Sequence, residues 1–291
     1  MPAEKPTISI ILPAKNEANS LEKLLANISA QHPDAEIIVV NDGSSDNTAT
    51  IGEAAGARVI NHPYSMGNGA AIKTGARAAK GEILVFMDAD GQHSPEEIPR
   101  LIKTLDKGFD MVVGARSTSG QASVGRLAAN TLYNKLASWM VGQKIHDLTS
   151  GFRAVNAKKF REFLHLLPNG FSYPTTITMS FFRAGYSVAY TQTDVQKRQG
   201  KSHINILKDG IRFLLIIFKV GTLYSPLKLF VPISAFHFLL GISYYAYTFI
   251  SHGRFTNMSA LLLTSSVIIF LIGLLSEQIT SLMYTNRDNS K

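Results

Sequence analysis

Asp88, Asp90 and Gln92 stand two residues apart, directly after the run Ile83-Leu84-Val85-Phe86-Met87. Five apolar residues rich in β-formers read as a strand buried on both faces. In an α/β sheet, ligands bind just beyond the carboxyl ends of the strands. If the chain stays extended past Met87, the spacing puts three oxygen donors on one edge. That set suits a hard cation, Mg²⁺ or Mn²⁺, already carrying substrate phosphates. An Asp-x-Asp can equally cap a following helix, so the tripeptide is judged by its surroundings. The next helix has a start of its own in Ser94-Pro95-Glu96-Glu97, with Ser at the N-cap, Pro at N1 and acids in the first turn.

The second chemical signal is an excess of cations. Arg116, Arg126, Lys135, Lys144, Arg153 and Lys158 lie in a stretch whose only acid is Asp147. A solvated face normally mixes both signs, so this stretch predicts an anionic partner. The aromatic residues are not interleaved as stacking platforms, which argues against nucleic acid. A further cluster, Lys197-Arg198-Gln199-Gly200-Lys201, reads as a basic loop able to close over phosphates.

These groups need a scaffold, and the pattern supplies an α/β one. Thr7–Leu12, Ala35–Val40, Arg58–Asn61, Ile83–Met87 and Asp110–Gly114 read as strands, with Pro13 stopping the first. Between them, Glu17–Gln31, Asp46–Ala55, Gly67–Lys80 and a segment from Ser94 to Lys107 read as helices. Asn41-Asp42-Gly43-Ser44-Ser45-Asp46 is a dense turn cluster. Strand and helix alternate at the interval of βαβ units, which predicts a mostly parallel, doubly wound sheet. A dinucleotide-binding Rossmann domain would carry G-x-G-x-x-G after its first strand. Pro13-Ala14-Lys15-Asn16-Glu17 stands there instead, and no Walker A sequence is present. Gly67-Asn68-Gly69 reads as a flexible helix start.

The 291-residue chain has a net charge of +8 and no cysteine, which excludes disulfides, thiolate zinc sites and cysteine nucleophiles. Met1 to Thr7 is polar and lacks the apolar core of a signal peptide. Toward the C-terminus the composition turns apolar. Lys201, Lys208, Arg212 and Lys219 fall within about 40° of one another on a helical wheel, flanked by isoleucine, leucine and phenylalanine. A narrow basic stripe on an apolar helix suits a membrane interface. Leu229–Ile250 and Ser259–Ser276 contain no Asp, Glu, Lys or Arg and are joined by the short link 251–257. With their flanks, either could cross a bilayer core of about 30 Å. Lys219, Lys228, Arg287 and Lys291 flank the outer ends and only Arg254 the link, so the positive-inside rule places both termini in the cytoplasm. The expected organisation is a catalytic-type domain at 1–200, a basic loop and interface helix at 201–226, and at 227–291 two spans, about 229–250 and 259–281, with a short cytoplasmic tail. Its expected location is the cytoplasmic (inner) membrane. Glu277 is expected as an interfacial carboxylate.

Taken together, Pro13-Ala14-Lys15-Asn16-Glu17, Asn41-Asp42-Gly43-Ser44-Ser45-Asp46 and Asp88-Ala89-Asp90-Gly91-Gln92-His93 resemble the GT-A glycosyltransferases of family two, which implies a GT-A catalytic domain at 1–200. Ser150-Gly151-Phe152-Arg153 and Arg198-Gln199-Gly200-Lys201-Ser202 narrow the resemblance to polyprenyl-phosphate glycosyltransferases of the dolichol-phosphate mannose synthase type, with a two-span anchor. The resemblance implies that Pro13, Lys15 and Glu17 line a nucleotide pocket, that Asp42 accepts from the base edge and that Val40 packs beside it. Asp88 and Ala89 would contact ribose and diphosphate, while Asp90 and Gln92 hold the metal. Arg116, Arg126 and Asn130 would bind the acceptor phosphate, and Arg198 would reach the donor diphosphate. Three departures bear on the detail: Lys15 stands for a frequent Tyr, Asn41 for the first Asp of a pair, and Asn130 for a residue that can be Ser.

The activity so implied is an inverting, metal-dependent transfer of a hexose from a nucleotide sugar of the GDP-mannose or UDP-glucose type. The acceptor would be the phosphate of a membrane polyprenyl phosphate. The alternative is a membrane-anchored protein that binds a nucleotide sugar or an anionic lipid without catalysis or with another specificity. A processive polysaccharide synthase should carry a Gln-x-x-Arg-Trp motif, but the sole tryptophan, Trp139, follows Leu136-Ala137-Ser138. A hairpin anchor leaves room for a homo-oligomer without fixing its number.

Overall fold

The structure is a computed structural model that describes residues 6–116, 124–170, 172–194, 219 and 221–285; of 124–130 and 283–285 it describes the backbone alone. The chain divides into two compact units, Met1–Ser138 with Gln143–Ile204, and Trp139–Gly142 with Asn205–Lys291.

The first unit is built on seven strands: β1 (Ile8–Ala14), β2 (Glu36–Asn41), β3 (Arg58–Asn61), β4 (Ile83–Phe86), β5 (Met111–Arg116), β6 (Arg153–Asn156) and β7 (Val188–Thr193). They lie in the order β3-β2-β1-β4-β6-β5-β7. Parallel pairing joins β3, β2, β1 and β4, and also β5 with β7; β6 runs antiparallel to both its neighbours. The expected mostly parallel α/β sheet is therefore present, with one reversed strand that the alternation did not predict. Strand order reverses between β1 and β4, and a crevice opens at such a point in a doubly wound sheet.

Helices α1 (Ala18–Gln31), α2 (Thr48–Ala54), α3 (Asn68–Ala78) and α4 (Ile98–Leu105) follow the first four strands, with a 3₁₀ turn at Pro95–Glu97 leading into α4. Leu21, Leu24, Leu25 and Ile28 recur at helical spacing on α1. They join Ile10, Leu12, Val39 and Val85 of the sheet and Ile98, Leu101 and Leu105 of α4 in one core. Helix α5 (Val124–Val141), as far as Ser138, with α6 (Ala157–Arg161) and α7 (Tyr173–Arg183), completes the unit.

Local boundaries differ from the sequence reading for identifiable reasons. Strand β1 continues through Pro13, whose Cα partner is Val40, to Ala14. Ser94 occupies the N-cap position, but its side chain makes no capping hydrogen bond. The one-sided cationic stretch is not one solvent face. Arg153 is fully buried in β6, where it donates to the carbonyls of Ser150 and Pro174 and the hydroxyl of Thr178.

In the second unit, α8 (Pro226–His252) and α9 (Asn257–Thr285) form a hairpin. Both are long and apolar enough to cross a membrane by length and composition. Gly253 ends α8 in the left-handed conformation at φ 61°, and its N–H donates to Phe249 O at 2.8 Å. Small residues let the helices approach: Gly241 faces Leu263, Gly273 faces Phe230, and Ser234 Oγ donates to Ser266 O at 2.8 Å. Glu277 accepts from Leu227 N–H at 3.4 Å, so its carboxylate sits at the first turn of α8, the positive end of that helix. The expected basic interface helix lies almost wholly outside the described residues.

Candidate active site

A cavity of about 450 Å³ lies across the carboxyl ends of β2, β1 and β4. Pro13, Lys15, Glu17, Asp42, Asp88, Ala89 and Asp90 all line it, so the donor-site residues singled out in the sequence come together. Val40 is buried in β2 and is not part of the lining. Arg198 lies outside the described residues. Arg126 and Asn130 fall on the backbone of α5, where side chains are not described.

The β4 end carries the paired carboxylates on a turn. The chain does not stay extended after Met87: Gly91 takes a positive φ of 72°, and residues 89–91 turn back. Gln92 therefore does not continue an edge of oxygens. Its N–H and its amide Nε2 donate to the two oxygens of Asp90, at 3.1 and 2.8 Å. Ser20 Oγ of α1 fixes the same turn by donating to Ala89 O at 2.8 Å. Asp88 packs against Gly151, where an added Cβ would lie 3.0 Å from its Oδ2, so a side chain there would press on the carboxylate.

Behind the turn, Arg116 Nε and Nη2 donate to Asp147 Oδ2 and Oδ1 at 2.8 and 3.0 Å, and Nη2 also donates to Thr149 Oγ1. Burial alone would raise the Asp147 carboxyl, but Arg116 and the backbone N–H of Thr149 outweigh it and hold it below the usual carboxylate range. Burial likewise works against the Arg116 guanidinium, and its bonds to Asp147, aided by Asp88, keep it charged. His93 stacks on Phe152 at 4.8 Å between ring centroids. Burial lowers its pKa to about 4 against the pull of Asp90, so the imidazole is neutral at pH 7.

The β2 end is organised differently. Asp42 Oδ1 accepts from His62 Nδ1 at 2.8 Å and Met66 N–H at 2.7 Å, and Oδ2 from Ser65 Oγ at 2.8 Å and Gly67 N–H at 2.9 Å. Burial raises the carboxyl, and these hydrogen bonds more than reverse the effect, leaving its pKa below the usual value. Thr74 Oγ1 lies 3.0 Å from the far nitrogen of His62. Lys15 Nζ reaches across from β1 and donates to Ser65 Oγ at 2.9 Å. Asn41 faces away, its Nδ2 on Asn61 Oδ1 at 2.8 Å and its Oδ1 on Ser44 N–H at 3.1 Å.

Ser65, Gly67, Asn68 and Ala71 also line the cavity and were missed as site residues. The signal that could have found them is Gly67-Asn68-Gly69. Gly67 has φ 102°, and an added Cβ would come within 2.6 Å of Asn169 O. Gly69 is as close to the carbonyl of Pro168, so glycine at both positions is what lets the start of α3 approach that backbone.

The donor set can be weighed against a cation. Among the described residues, no three His, Cys, Asp or Glu side chains group as a closed metal site. Asp88 and Asp90 offer carboxylate oxygens on the cavity wall. An open pair of that kind suits a Mg²⁺-like cation that takes its remaining ligands from substrate phosphates and water.

The model of glycosyl transferase family 2 matches residues 9–164, and that of the GtrB C-terminal hairpin matches 225–282. A dolichyl-phosphate hexose transferase of Haloferax volcanii is 29% identical over 219 residues, 73% of this chain and 93% of that protein. An undecaprenyl-phosphate 4-deoxy-4-formamido-L-arabinose transferase of Edwardsiella ictaluri is 33% identical over 213 residues, 69% of this chain and 64% of the relative, so the chain spans just under two thirds of that protein. A polyprenol monophosphomannose synthase of Mycolicibacterium smegmatis is 29% identical, covering 65% of this chain and 77% of the relative. Among solved structures, glucosyl-3-phosphoglycerate synthase of Mycobacterium tuberculosis, in complex with Mn²⁺, UDP-glucose and phosphoglyceric acid, matches with a TM-score of 0.59 and 25% identity over 73% of this chain and 79% of that one.

Proposed function

The chain belongs to glycosyl transferase family 2 and is a glycosyltransferase of GT-A fold, and from that premise we propose that it transfers a hexose from a nucleoside diphosphate sugar to the phosphate of a membrane polyprenyl phosphate. One observation carries the reading. The Asp88–Asp90 turn and the ends of β1 and β2 share one cavity, in a chain whose C-terminal hairpin is of the GtrB type. The named relatives that act on polyprenyl phosphates support the same acceptor.

In this reading the nucleoside diphosphate lies across the strand ends, its diphosphate toward Asp88 and Asp90. A divalent cation, Mg²⁺ or Mn²⁺, held by these two carboxylates would supply countercharge to the leaving diphosphate. Gln92 orients Asp90 through its two hydrogen bonds. An oxygen of the acceptor phosphate bonds to the anomeric carbon from the face opposite the leaving group. The bond from that carbon to the diphosphate oxygen breaks with its electron pair, and configuration inverts. A phosphate is already anionic at neutral pH, so no general base is needed, as one would be for a hydroxyl. Two anions must approach, and Arg116, Arg126 and Arg198 are the cations assigned to them, with Asn130 on the acceptor side. Such fixed charge lowers the barrier by electrostatic preorganisation.

The hairpin would anchor the chain in the cytoplasmic membrane with both termini inside. The sheet domain would occupy about residues 1–200 and the interface segment 201–226. The test is incubation of membranes containing the protein with radiolabelled nucleotide sugars and a polyprenyl phosphate. Chloroform-extractable label from one donor is expected. Label found only in polymer, or none, would sink the reading.

A further inference from the structure

We infer that Lys228 is a positioning residue: by fastening the C-terminal end of α5 to the base of the hairpin, it sets the height at which α5 meets the phosphate of a membrane-embedded acceptor. The inference rests on the reading above, in which the hairpin spans the membrane and α5 carries Arg126 and Asn130 of the acceptor side. It starts from the last turn of α5, which belongs to the second unit as part of Trp139–Gly142. The last carbonyls of an α-helix have no partner within it. Lys228 Nζ donates to two of them, Met140 O at 2.9 Å and Trp139 O at 3.2 Å. Ser225 Oγ also donates to Met140 O, at 3.2 Å. The Met140 side chain is buried against Gly221, where an added Cβ would lie 3.0 Å from its Cε.

A simpler account makes Lys228 a surface cation reaching for lipid headgroups. Its position argues otherwise. Lys228 lies in the first turn of α8, where the helix carries partial positive charge and a cation is unfavourable. The end of α5 carries the opposite partial charge, so the ammonium is stabilised by the neighbouring helix and not by its own. Two of its three N–H groups are taken there. The rest of the hairpin base is tied in the same way. Glu277 of α9 accepts from Leu227 N–H at 3.4 Å, and Thr280 Oγ1 of α9 donates to Thr222 O at 3.3 Å. Both helices of the hairpin are thus linked to the end of α5 through residues 222–228. The lever is long. Helix α5 is continuous, so its backbone at Arg126 stands about 20 Å from Trp139 at a rise of about 1.5 Å per residue. A tilt of about 3° at the fastened end moves that point by about 1 Å, and misplacement of that size can cost about 10²-fold in rate. A polyprenyl phosphate, held at one depth by its tail, cannot follow the shift. A short acceptor diffusing in water can.

The experiment compares two acceptors with the full-length protein, using the nucleotide sugar that serves as donor in the membrane assay. One is a long polyprenyl phosphate in phosphatidylcholine vesicles, with and without phosphatidylglycerol. The other is a short, water-soluble prenyl phosphate in detergent solution. Relative to the unaltered protein, Lys228→Met should lower kcat/KM for the long acceptor about ten-fold and leave the short acceptor and the donor KM within about two-fold. Lys228→Arg, which keeps a charged donor, should restore most of the loss. Ser225→Ala removes a neutral bond to the same carbonyl and should show the same selectivity at about two- to three-fold; it carries the test if Lys228→Met does not fold. Equal loss with both acceptors, no loss with either, or no restoration by arginine overturns the inference while leaving the transfer reaction standing. A loss confined to vesicles containing phosphatidylglycerol assigns Lys228 to lipid headgroups and overturns it too. Absence of transfer by the unaltered protein with every donor removes both.

Discussion

The two ends of the cavity use the same functional group to opposite purposes. At the β2 end, Asp42 is enclosed by four hydrogen-bond donors and almost removed from solvent. At the β4 end, Asp88 and Asp90 stand half-buried on a turn, with Gln92 orienting one and Gly151 seating the other. A carboxylate surrounded by fixed neutral donors has its charge compensated permanently, so it builds structure. Asp88 and Asp90 instead lie on the cavity wall at a turn, the placement a cation carrying a diphosphate would need. The same residue type is therefore held in a frame of fixed donors at one end and carried on a half-buried turn at the other.

The sharpest way to break this contrast is to remove one acid from each end. Asp90→Ala should reduce transfer by on the order of 10²–10³-fold or more, with the melting temperature nearly unchanged. Near-normal activity in that variant with Mn²⁺ or Mg²⁺ present would refute the metal assignment. Asp42→Ala should act through the fold. Stranding His62 and two backbone N–H groups costs about 3 kcal/mol, a fall in Tm of roughly 6–12 °C for a domain of this size. A shift of only a degree or two would mean that the β2 end is not anchored as described.

Acid titration sharpens the comparison by separating groups along the pH axis. The neutral, buried His93 has a folded pKa of about 4 against about 6.5 in an unfolded chain. The unfolded state therefore takes up its proton first. Stability from this group is full above about pH 6.5 and declines toward pH 4, by at most about 1.4 kcal/mol per pH unit. Asp42 and Asp147 have lowered folded values, so their contribution is complete above the ordinary carboxylate pKa of about 3.9 and is lost as pH falls through it. Thermal melts should show His93→Leu flattening the upper limb and Asp147→Asn flattening the lower one. A single limb that neither variant alters would contradict both assignments. The smallest effect belongs to Asn41→Ala, expected to cost about 1 kcal/mol through loss of the bridges to Asn61 and Ser44, with nucleotide discrimination retained.

The first half of the fold was legible because its strands are continuous apolar runs and its helices carry a clean 3.6-residue stripe. Strands β6 and β7 were not. The four residues of β6 begin with Arg153, and a charged residue at the start of a short segment hides its burial. The carbonyls of Ser150 and Pro174 and the hydroxyl of Thr178, brought together by the tertiary fold, make that position tolerable. The residues of the donor cavity were legible because each follows a strand end. The partners of Asp42 were not, since His62, Ser65 and Gly67 follow a different strand and meet it only when β2 pairs with β3. The Arg116 pairing had a visible trace in Asp147, the one acid of the basic stretch, but its distance of 31 residues gave no local cue.

The reversed strand β6 also sets an order of assembly. It sits between β4 and β5 and, among the described strands, is the one that joins the β3-β2-β1-β4 half of the sheet to the β5-β7 half. During synthesis, β4 and β5 emerge well before the strand that unites them, each with an open hydrogen-bonding edge. A ribosome stalled before Asn156 would hold the β3-β2-β1-β4 half-sheet and a lone β5, each with an edge ready to pair with other chains. The apolar hairpin that begins at Pro226 is made after that gap can close, so the chain can complete its sheet before its most aggregation-prone segment leaves the ribosome.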